Sequence, residues 1–288
     1  VNIPSLQLMT EAPMSVNMIY LYGLKLLNGK LAQMIAWYLS FLAALAVFMI
    51  TAKITTKQSA VVAATIFATL PIFSVFNVRP YVDIPLAFFA LLATYFFLQW
   101  LEKSEMKHAV LTGLFTGMAV SAKNTGLLTG AAFAIVTAVV FLRAPSDKRG
   151  RLAAQAAVIG MVAVAMLAPW LIKSYLNTGN PVHPFLHGYF GGTYWNNDLG
   201  RTLLEFHRSH GIGFSLPSLS LFLFKITVNP QLFADTAGVT PVFLGFLPLL
   251  WLLRKKVPRQ ITTLLIFTVV LVVLQFFTAQ QTRYMFLA

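Results

Sequence analysis

Residues 31–51 read LAQMIAWYLSFLAALAVFMIT, a run of 21 positions without a charged side chain. A helix needs about 20 mostly apolar residues to cross the hydrocarbon core of a bilayer. Seven further apolar runs follow, at 58–76, 83–101, 109–121, 124–142, 153–172, 238–253 and 261–278. We therefore predict an all-α, polytopic transmembrane helix bundle with about eight spans.

The composition of the whole chain also indicates a membrane protein. Of its 288 residues, 58% are hydrophobic and 10% are charged, whereas soluble domains carry about 25% charged residues. The net charge of +13 is also typical of nucleic-acid-binding proteins, but here the basic residues lie largely in short gaps between apolar runs. We expect membrane lipid as a partner and no nucleic acid. The chain has no cysteine, which excludes disulfide bonds and thiol chemistry.

The basic residues predict the topology. Twelve of the 21 lysines and arginines fall in four loops on one side of the predicted bundle, at 52–57, 102–108, 143–152 and 254–260. By the positive-inside rule these loops face the cytoplasm. We expect a hairpin over 109–142, broken near Lys123, rather than one long helix, because a lysine in mid-membrane is costly.

The remaining segments are assigned by their polarity and by the chain ends. Residues 13–28 are expected to form an interfacial helix, and 216–228 is an apolar but short stretch. Residues 173–237 form a long polar region that we expect to be an external loop. The chain starts with Val1 and stops inside an apolar stretch. We interpret 1–288 as a single transmembrane domain, truncated at both ends, from a longer protein.

Five of the eight acidic residues lie on the predicted external side, and these are Glu11, Asp83, Asp198, Glu205 and Asp235. Asp83 is at the mouth of a span, where a carboxylate is expensive unless it caps a helix, pairs with a cation or does chemistry. One interpretation is an N-cap followed by Pro85 and paired with Arg79; the other is a functional carboxylate. Glu11 is either a first-turn helix acid or a site residue.

The external cations and histidines have similarly open interpretations. Lys123 is either a snorkelling lysine or an anchor for an anionic group such as phosphate. Arg283 enters an apolar stretch from the external face and should meet an anion. His207 and His210 are spaced so that both could face one metal ion on a helix over 202–210, although such an isolated pair is often not a site.

Five short motifs follow one another along the chain. They are Glu-Ala-Pro-Met (11–14) with its following helix (21–29), Tyr-Val-Asp-Ile-Pro-Leu-Ala-Phe-Phe (81–89), a Gly-rich helix ending in Ser-Ala-Lys-Asn-Thr-Gly-Leu (111–127), Ala-Pro-Trp to Gly-Asn-Pro-Val-His-Pro (168–184) and Arg-Tyr (283–284). In content and order these motifs resemble those of GT-C type membrane glycosyltransferases, which use lipid-linked sugars. This family includes protein O-mannosyltransferases and the aminoarabinose transferases that modify lipid A. Met14 stands where their Glu-Lys-Pro-Pro pattern has its second proline.

The resemblance implies an inverting transfer of a sugar from a polyprenyl-phosphate-linked donor to a lipid, glycan or protein acceptor. The general base would lie in a loop upstream of Glu11, which this chain starts too late to contain. Asp83 and Glu11 would be the acidic catalytic residues, and a divalent metal ion would be held by Glu11 with His207 or His210. The implied substrate-binding residues are Lys123, Arg283, Tyr284, Asn180 and Arg79.

The same resemblance implies an integral protein of a bacterial inner (plasma) membrane whose active face is non-cytoplasmic. Two other function classes stay open. A transporter or lipid flippase would carry charges at the bilayer midplane and internal repeats, but here the charges cluster at one face and no repeat is evident. A non-catalytic assembly subunit with a decayed site would lack an acidic pair upstream of this chain.

Overall fold

The computed structural model describes residues 11–193, 195–234, 237–253, 257–278 and 280–287. Among them, helices and turns occur without any strand, so the predicted all-α class is confirmed. The α-helices are α1 (Ser15–Leu26), α2 (Gly29–Ile54), α3 (Lys57–Ala68), α4 (Pro71–Phe76), α5 (Asp83–Lys103), α6 (Met106–Ala122), α7 (Leu127–Arg143), α8 (Ser146–Thr178), α9 (His187–Phe190), α10 (Asn197–Arg208), α11 (Leu216–Val228), α12 (Pro241–Leu253) and α13 (Arg259–Thr278). Shorter 3₁₀ helices cover Asn124–Gly126, Pro230–Phe233 and Thr282–Leu287.

Five of the described helices are long and apolar enough to cross a membrane: α2, α5, α7 with its preceding 3₁₀ turn, α8 and α13. The other predicted spans coincide with shorter helices, namely α3 with α4, α6 and α12. An aromatic stack joins three elements of the bundle, because the ring of Phe133 lies 4.5 Å from Phe97 and 4.8 Å from Phe267.

The prediction of one continuous span over 58–76 is wrong. Helix α3 ends at Ala68, and Leu70, with φ −56° and ψ 134°, is not helical before Pro71 begins α4. A proline disfavours the helical conformation of the residue before it and has no N–H to continue the ladder. Thr69 instead donates its hydroxyl to the carbonyl of Thr65, which closes the last turn of α3.

The hairpin expected over 109–142 is confirmed. Lys123 is extended, with φ −166° and ψ 146°, and separates α6 from the turn that opens α7. A methyl group added at Gly126 would collide with the backbone of Ala119, and one added at Gly130 would lie 3.6 Å from Thr116. These contacts run in opposite chain directions, as they must in a hairpin.

Helix α6 packs closely along α8 through two glycines one turn apart. A Cβ added at Gly113 would lie 2.6 Å from the carbonyl oxygen of Ile159. One added at Gly117 would lie 2.6 Å from Cβ of Met166 and 2.8 Å from the carbonyl oxygen of Ala163. Small residues spaced in this way let two transmembrane helices approach backbone to backbone.

Three of the four basic loops meet at one end of the bundle, as their predicted common side requires. Lys53 pairs with Glu102 at 2.8 Å, and Arg151 donates to the carbonyl of Ser104 at 2.7 Å. These contacts connect the loops after α2, α5 and α7. In the fourth loop, residues 254–256 lie outside the described residues.

The region 173–237, predicted as a long external loop, contains several short helices. Helix α8 continues to Thr178 and ends at Gly179, whose φ of +78° suits a residue without a side chain. Helices α9, α10 and α11 then occupy much of the segment. Asp235, one of the predicted external acids, lies outside the described residues.

Candidate active site

An ion pair joins the start of α5 to the end of α6. Lys123 Nζ lies 2.7 Å from Oδ1 of Asp83. The aspartate side chain is 4% exposed, and that of the lysine is 25% exposed. Because the carboxylate is almost fully buried, its charge is stabilised mainly by its partner rather than by water. Removing the partner of a buried charge lowers the stability of a protein by several kcal/mol.

Helix ends favour both charges of this pair. Asp83 lies in the first turn of α5, where unpaired N–H groups stabilise a negative charge. Lys123 directly follows the last residue of α6, where unpaired carbonyl groups stabilise a positive one. The hairpin break is what brings the lysine to this position.

The predicted helix cap and its partner are both wrong. The N-cap of α5 is Val82, and no side chain closes this helix end with a hydrogen bond. Arg79 is exposed, and among the ion pairs of the described residues Asp83 pairs with Lys123 instead. Pro85 and the helical conformation of Asp83 place the carboxylate inside the first turn, facing the end of α6.

The 3₁₀ helix at 282–287 brings an aromatic ring and a second cation to the pair. Lys123 Nζ lies 4.5 Å from the ring centroid of Tyr284, and the Arg283 guanidinium lies 5.6 Å from the same ring. The two distances limit the separation of the cationic groups to about 10 Å. Arg283 also donates two hydrogen bonds to Oε1 of Gln281, at 3.0 and 2.7 Å.

Tyr20, on α1, lies near the same site and contacts the loop before α5. Its hydroxyl donates to the carbonyl of Tyr81 at 2.9 Å. Burial, and to a smaller extent the negative charge of Asp83, raise the pKa of Tyr20 above its usual range. The phenol therefore stays protonated and acts as a donor that fixes the loop before α5.

Glu11 belongs to a second group of polar residues, at the end of α8. Its carboxylate accepts hydrogen bonds from Nδ2 of Asn177 at 3.2 Å, and Lys173 Nζ lies 3.8 Å away. Since α6 and α8 run parallel, with Ser121 donating to the carbonyl of Met166, the end of α8 is on the same side as Lys123. Glu11 and Asp83 thus lie towards one end of the bundle, each with its own cation.

Asn180 holds the chain that follows α8. Its buried amide donates to the carbonyls of Phe185 and Gly191, at 3.0 and 3.2 Å, and accepts from the N–H of Val182. Both amide N–H groups are used by the protein. The predicted substrate-binding role of Asn180 stays a prediction, and its observed bonds are those of a loop clamp.

The histidines predicted for a metal site differ from the histidine whose pKa the charge of Glu11 affects. Among the described residues, no three His, Cys, Asp or Glu side chains form a group that could hold a metal ion. His207 lies on α10, and His210, beyond the end of that helix, contacts the carbonyl of Phe206 at 2.8 Å. The described residues thus do not fit a three-ligand site, and the metal ion stays an untested prediction.

His183, in the loop after α8, is the histidine whose pKa is affected by the charge of Glu11. It is 4% exposed, and its Nδ1 has no hydrogen-bond partner. Burial lowers its pKa from the usual 6.5, the charge of Glu11 raises it, and His187 lowers it. His183 lies in the motif Gly-Asn-Pro-Val-His-Pro, which was identified from the sequence. The metal site was instead predicted at His207 and His210, because of their i, i+3 spacing.

The burial of His183 predicts a loss of stability in acid. Because burial lowers the pKa of His183 in the folded state, the unfolded state binds more protons once the pH falls through about 6.5, and stability decreases. Melting temperatures at pH 7.5 and pH 5.5 should therefore differ less in His183→Gln than in the unchanged protein. His207, whose pKa burial also lowers, should add to the effect in a double variant. Equal acid sensitivity in all three proteins would contradict this assignment.

Comparison with known proteins gives a family and a fold. A family model described as dolichyl-phosphate-mannose-protein mannosyltransferase matches residues 17–198, which include Asp83 and Lys123. No curated protein matches the chain. The fold is similar to the crystal structure of ArnT from Cupriavidus metallidurans in the apo state, with a TM-score of 0.64 and 16% identity.

The similarity to ArnT covers 96% of this chain and 47% of that one, so the chain spans about half the length of that protein. At this identity the likeness shows the fold alone. The family match covers well over half of the chain, and the resemblance stated from its motifs is confirmed. The chain is an integral membrane protein with an ArnT-like helical fold, and it belongs to the dolichyl-phosphate-mannose-protein mannosyltransferase family.

Proposed function

We propose that the chain is the donor-binding part of a membrane glycosyltransferase that transfers a sugar from a polyprenyl-phosphate donor to an acceptor. One observation carries this proposal: the site formed by Asp83, Lys123, Arg283 and Tyr284 lies beside a large apolar cavity. Family membership favours this function over a transporter or a flippase.

The charges of the site match those of the donor. Asp83, Lys123 and Arg283 have a formal net charge of +1. The phosphate that joins a sugar to a polyprenol is a diester and carries a single negative charge. Asp83 holds the lysine amine in place at 2.7 Å, and Tyr284 lies against both cations. A lipid phosphate entering this site would be neutralised without a large excess of charge.

A cavity of about 490 Å³ would take the isoprenoid chain. Its wall is mainly apolar, with four threonines, and includes Ala87, Leu264 and the segment 285–287. Ala87 lies one turn below Asp83 on α5, about 6 Å along the helix axis. Residues 285–287 directly follow Arg283 and Tyr284. The cavity and the charged site therefore share two elements, as the head and tail of one amphipathic substrate require.

The reaction increases the negative charge at the phosphate. The acceptor oxygen or nitrogen attacks the anomeric carbon, and the bond from that carbon to the phosphate oxygen breaks with its electrons. The leaving polyprenyl phosphate is a monoester and approaches two negative charges near neutral pH. Fixed cations such as Lys123 and Arg283 stabilise this leaving group more than the bound donor, which lowers the barrier.

Other parts of the reaction are supplied from outside the described site. The acceptor proton would go to a carboxylate in the loop upstream of Glu11, and attack opposite the phosphate would invert the anomeric centre. Glu11 would contact the acceptor or sugar from the end of α8. We place the active face on the non-cytoplasmic side of a bacterial inner membrane, opposite the basic loops.

Cavity-filling variants test the function together with the tail site. Membranes with the full-length protein should transfer label from dolichyl-phosphate mannose or another polyprenyl-phosphate sugar. Leu264→Trp, which fills the cavity, should raise the KM for a long-chain donor about tenfold, the equivalent of roughly two buried methylenes. A short-chain donor should be affected less.

Ile266→Trp provides the matched control, because Ile266 lies on the same helix but is 40% exposed and outside the cavity wall. Its KM should stay close to that of the unchanged protein. Absence of transfer from every polyprenyl-phosphate sugar would refute the proposed function. Equal effects of the two tryptophans would refute only the tail site.

A further inference from the structure

A second cavity opens between α6, α7 and α8, and its lining residues differ from those of the apolar cavity at the donor site. It has a volume of about 380 Å³ and is lined mainly by small residues. We call it the hairpin groove, and its glycine and alanine wall residues are Gly130, Ala134 and Ala138 on α7 with Ala153, Ala156, Gly160 and Ala163 on α8. From Gly130 to Phe141 the groove extends about 16 Å along α7. That is about half of a hydrocarbon core of ~30 Å, or the depth of one leaflet.

The protein itself does not fill this groove. Small residues usually mark close packing of two helices, as Gly113 and Gly117 do against α8. By contrast, a methyl group added at Gly160 would meet no atom within 4 Å, and one at Gly130 would make only an ordinary contact with Thr116. The small side chains of α7 and α8 therefore leave open space between the helices.

Thr116 supplies an independent sign that the groove is incomplete. It is 4% exposed and lines the groove, yet its hydroxyl has no hydrogen-bond partner. One turn earlier, Thr112 donates its hydroxyl to the carbonyl of His108 at 2.7 Å, as helical threonines commonly do. A buried polar group without a partner in a native protein calls for an explanation such as an absent ligand or solvent molecule.

The mouth of the groove carries ordered positive charge. The guanidinium of Arg149 lies 5.7 Å from the ring centroid of Phe141, a wall residue. It donates to the carbonyls of Ala144 and Leu142, at 3.0 and 3.1 Å, and these two bonds use two of its five N–H groups. Arg143 and Lys148 lie on the same exposed turn, with Asp147 as the acidic residue among them. The turn thus has a net positive charge.

We propose that the hairpin groove binds an anionic phospholipid from the leaflet on the side of the 143–151 turn. One acyl chain lies between α7 and α8, and the phosphate meets Arg149, with Arg143 and Lys148 beside it. Basic pockets between transmembrane helices are known binding places for anionic headgroups. The apolar walls, the one-leaflet length and the charged mouth match such a lipid. This inference is independent of the proposed transfer reaction.

Native mass spectrometry of the full-length protein tests the proposal. The protein is mixed in detergent with equal amounts of phosphatidylglycerol and phosphatidylcholine. We expect one phosphatidylglycerol to be retained in preference to phosphatidylcholine. Arg149→Gln should weaken this retention about fivefold. Gly160→Leu, which occupies the chain site, should weaken it about tenfold.

Arg201→Gln is the matched control, since Arg201 is an exposed arginine on α10, outside the groove wall. It should retain phosphatidylglycerol like the unchanged protein, and melting temperatures should show that all variants fold. Equal retention of the two lipids by the unchanged protein would overturn the proposal. Undiminished retention of phosphatidylglycerol by Gly160→Leu would also overturn it. That is the result expected if another helix of the full-length protein fills the groove.

Discussion

Replacing Lys123 by methionine in the full-length protein is expected to lower kcat/KM for the polyprenyl-phosphate donor about 1,000-fold. Loss of one preorganised charged donor typically costs about 10²–10³ in rate. Here the loss has a second part, because the side chain of Asp83 is only 4% exposed and would be left without its cation. An unpaired carboxylate would repel the phosphate that the lysine attracts. Initial rates with labelled donor measure the effect.

Asp83→Asn should lower the same constant less, by about 100-fold, since the lysine stays but its amine is no longer held at 2.7 Å. The double variant should be no worse than Lys123→Met alone, because residues that act as a unit are not additive. A loss near 10⁵-fold, the product of the single effects, would mean that the two residues act separately.

Lys107→Met is the control for removal of a lysine. Lys107 pairs with Glu105 at 2.8 Å at the opposite end of the bundle, and its side chain is 68% exposed. An exposed pair of this kind contributes little to stability. Its activity should stay near that of the unchanged protein. Near-normal activity in Lys123→Met would show that the lysine does not bind the donor phosphate.

The Asp83–Lys123 site illustrates how far the sequence can predict function. Hydropathy and the cost of a buried lysine were enough to predict the hairpin and its break at Lys123, because both depend on local sequence. The partner of Asp83 was predicted incorrectly as Arg79, four residues away. The observed partner is 40 residues away, and that choice depends on α5 and α6 packing side by side.

The region after α8 shows a different limit of prediction from sequence. Asn, Gly and Pro occur both in binding loops and in turns between helices, so the composition of 173–237 favoured one long loop. The amide of Asn180 is in fact occupied by the surrounding backbone. Likewise His183, rather than His207 or His210, lies where Glu11 affects its pKa. Spacing along one helix does not reveal which segments meet in space.

The second large effect concerns the packing that holds Lys123 in place. Gly117→Leu should lower the melting temperature of the protein in detergent by roughly 5–10 °C, because overpacking a helix contact costs about 1–3 kcal/mol or more. The first added carbon would already lie 2.6 Å from Cβ of Met166 and 2.8 Å from a backbone oxygen, which cannot rotate away. Helix α6 would have to move off α8, and Lys123 at its end would move with it.

Gly160→Leu separates this packing effect from the mere introduction of leucine. Gly160 is also in mid-helix on α8, so the gain in helix propensity is the same, about 1 kcal/mol. A Cβ there meets no atom within 4 Å, and we expect an unchanged or higher melting temperature in lipid-free detergent. If both variants melted at the same temperature, α6 and α8 would not be in contact as described. If only Gly117→Leu is destabilised and also loses donor transfer, the glycine contact is what positions the cation for the phosphate.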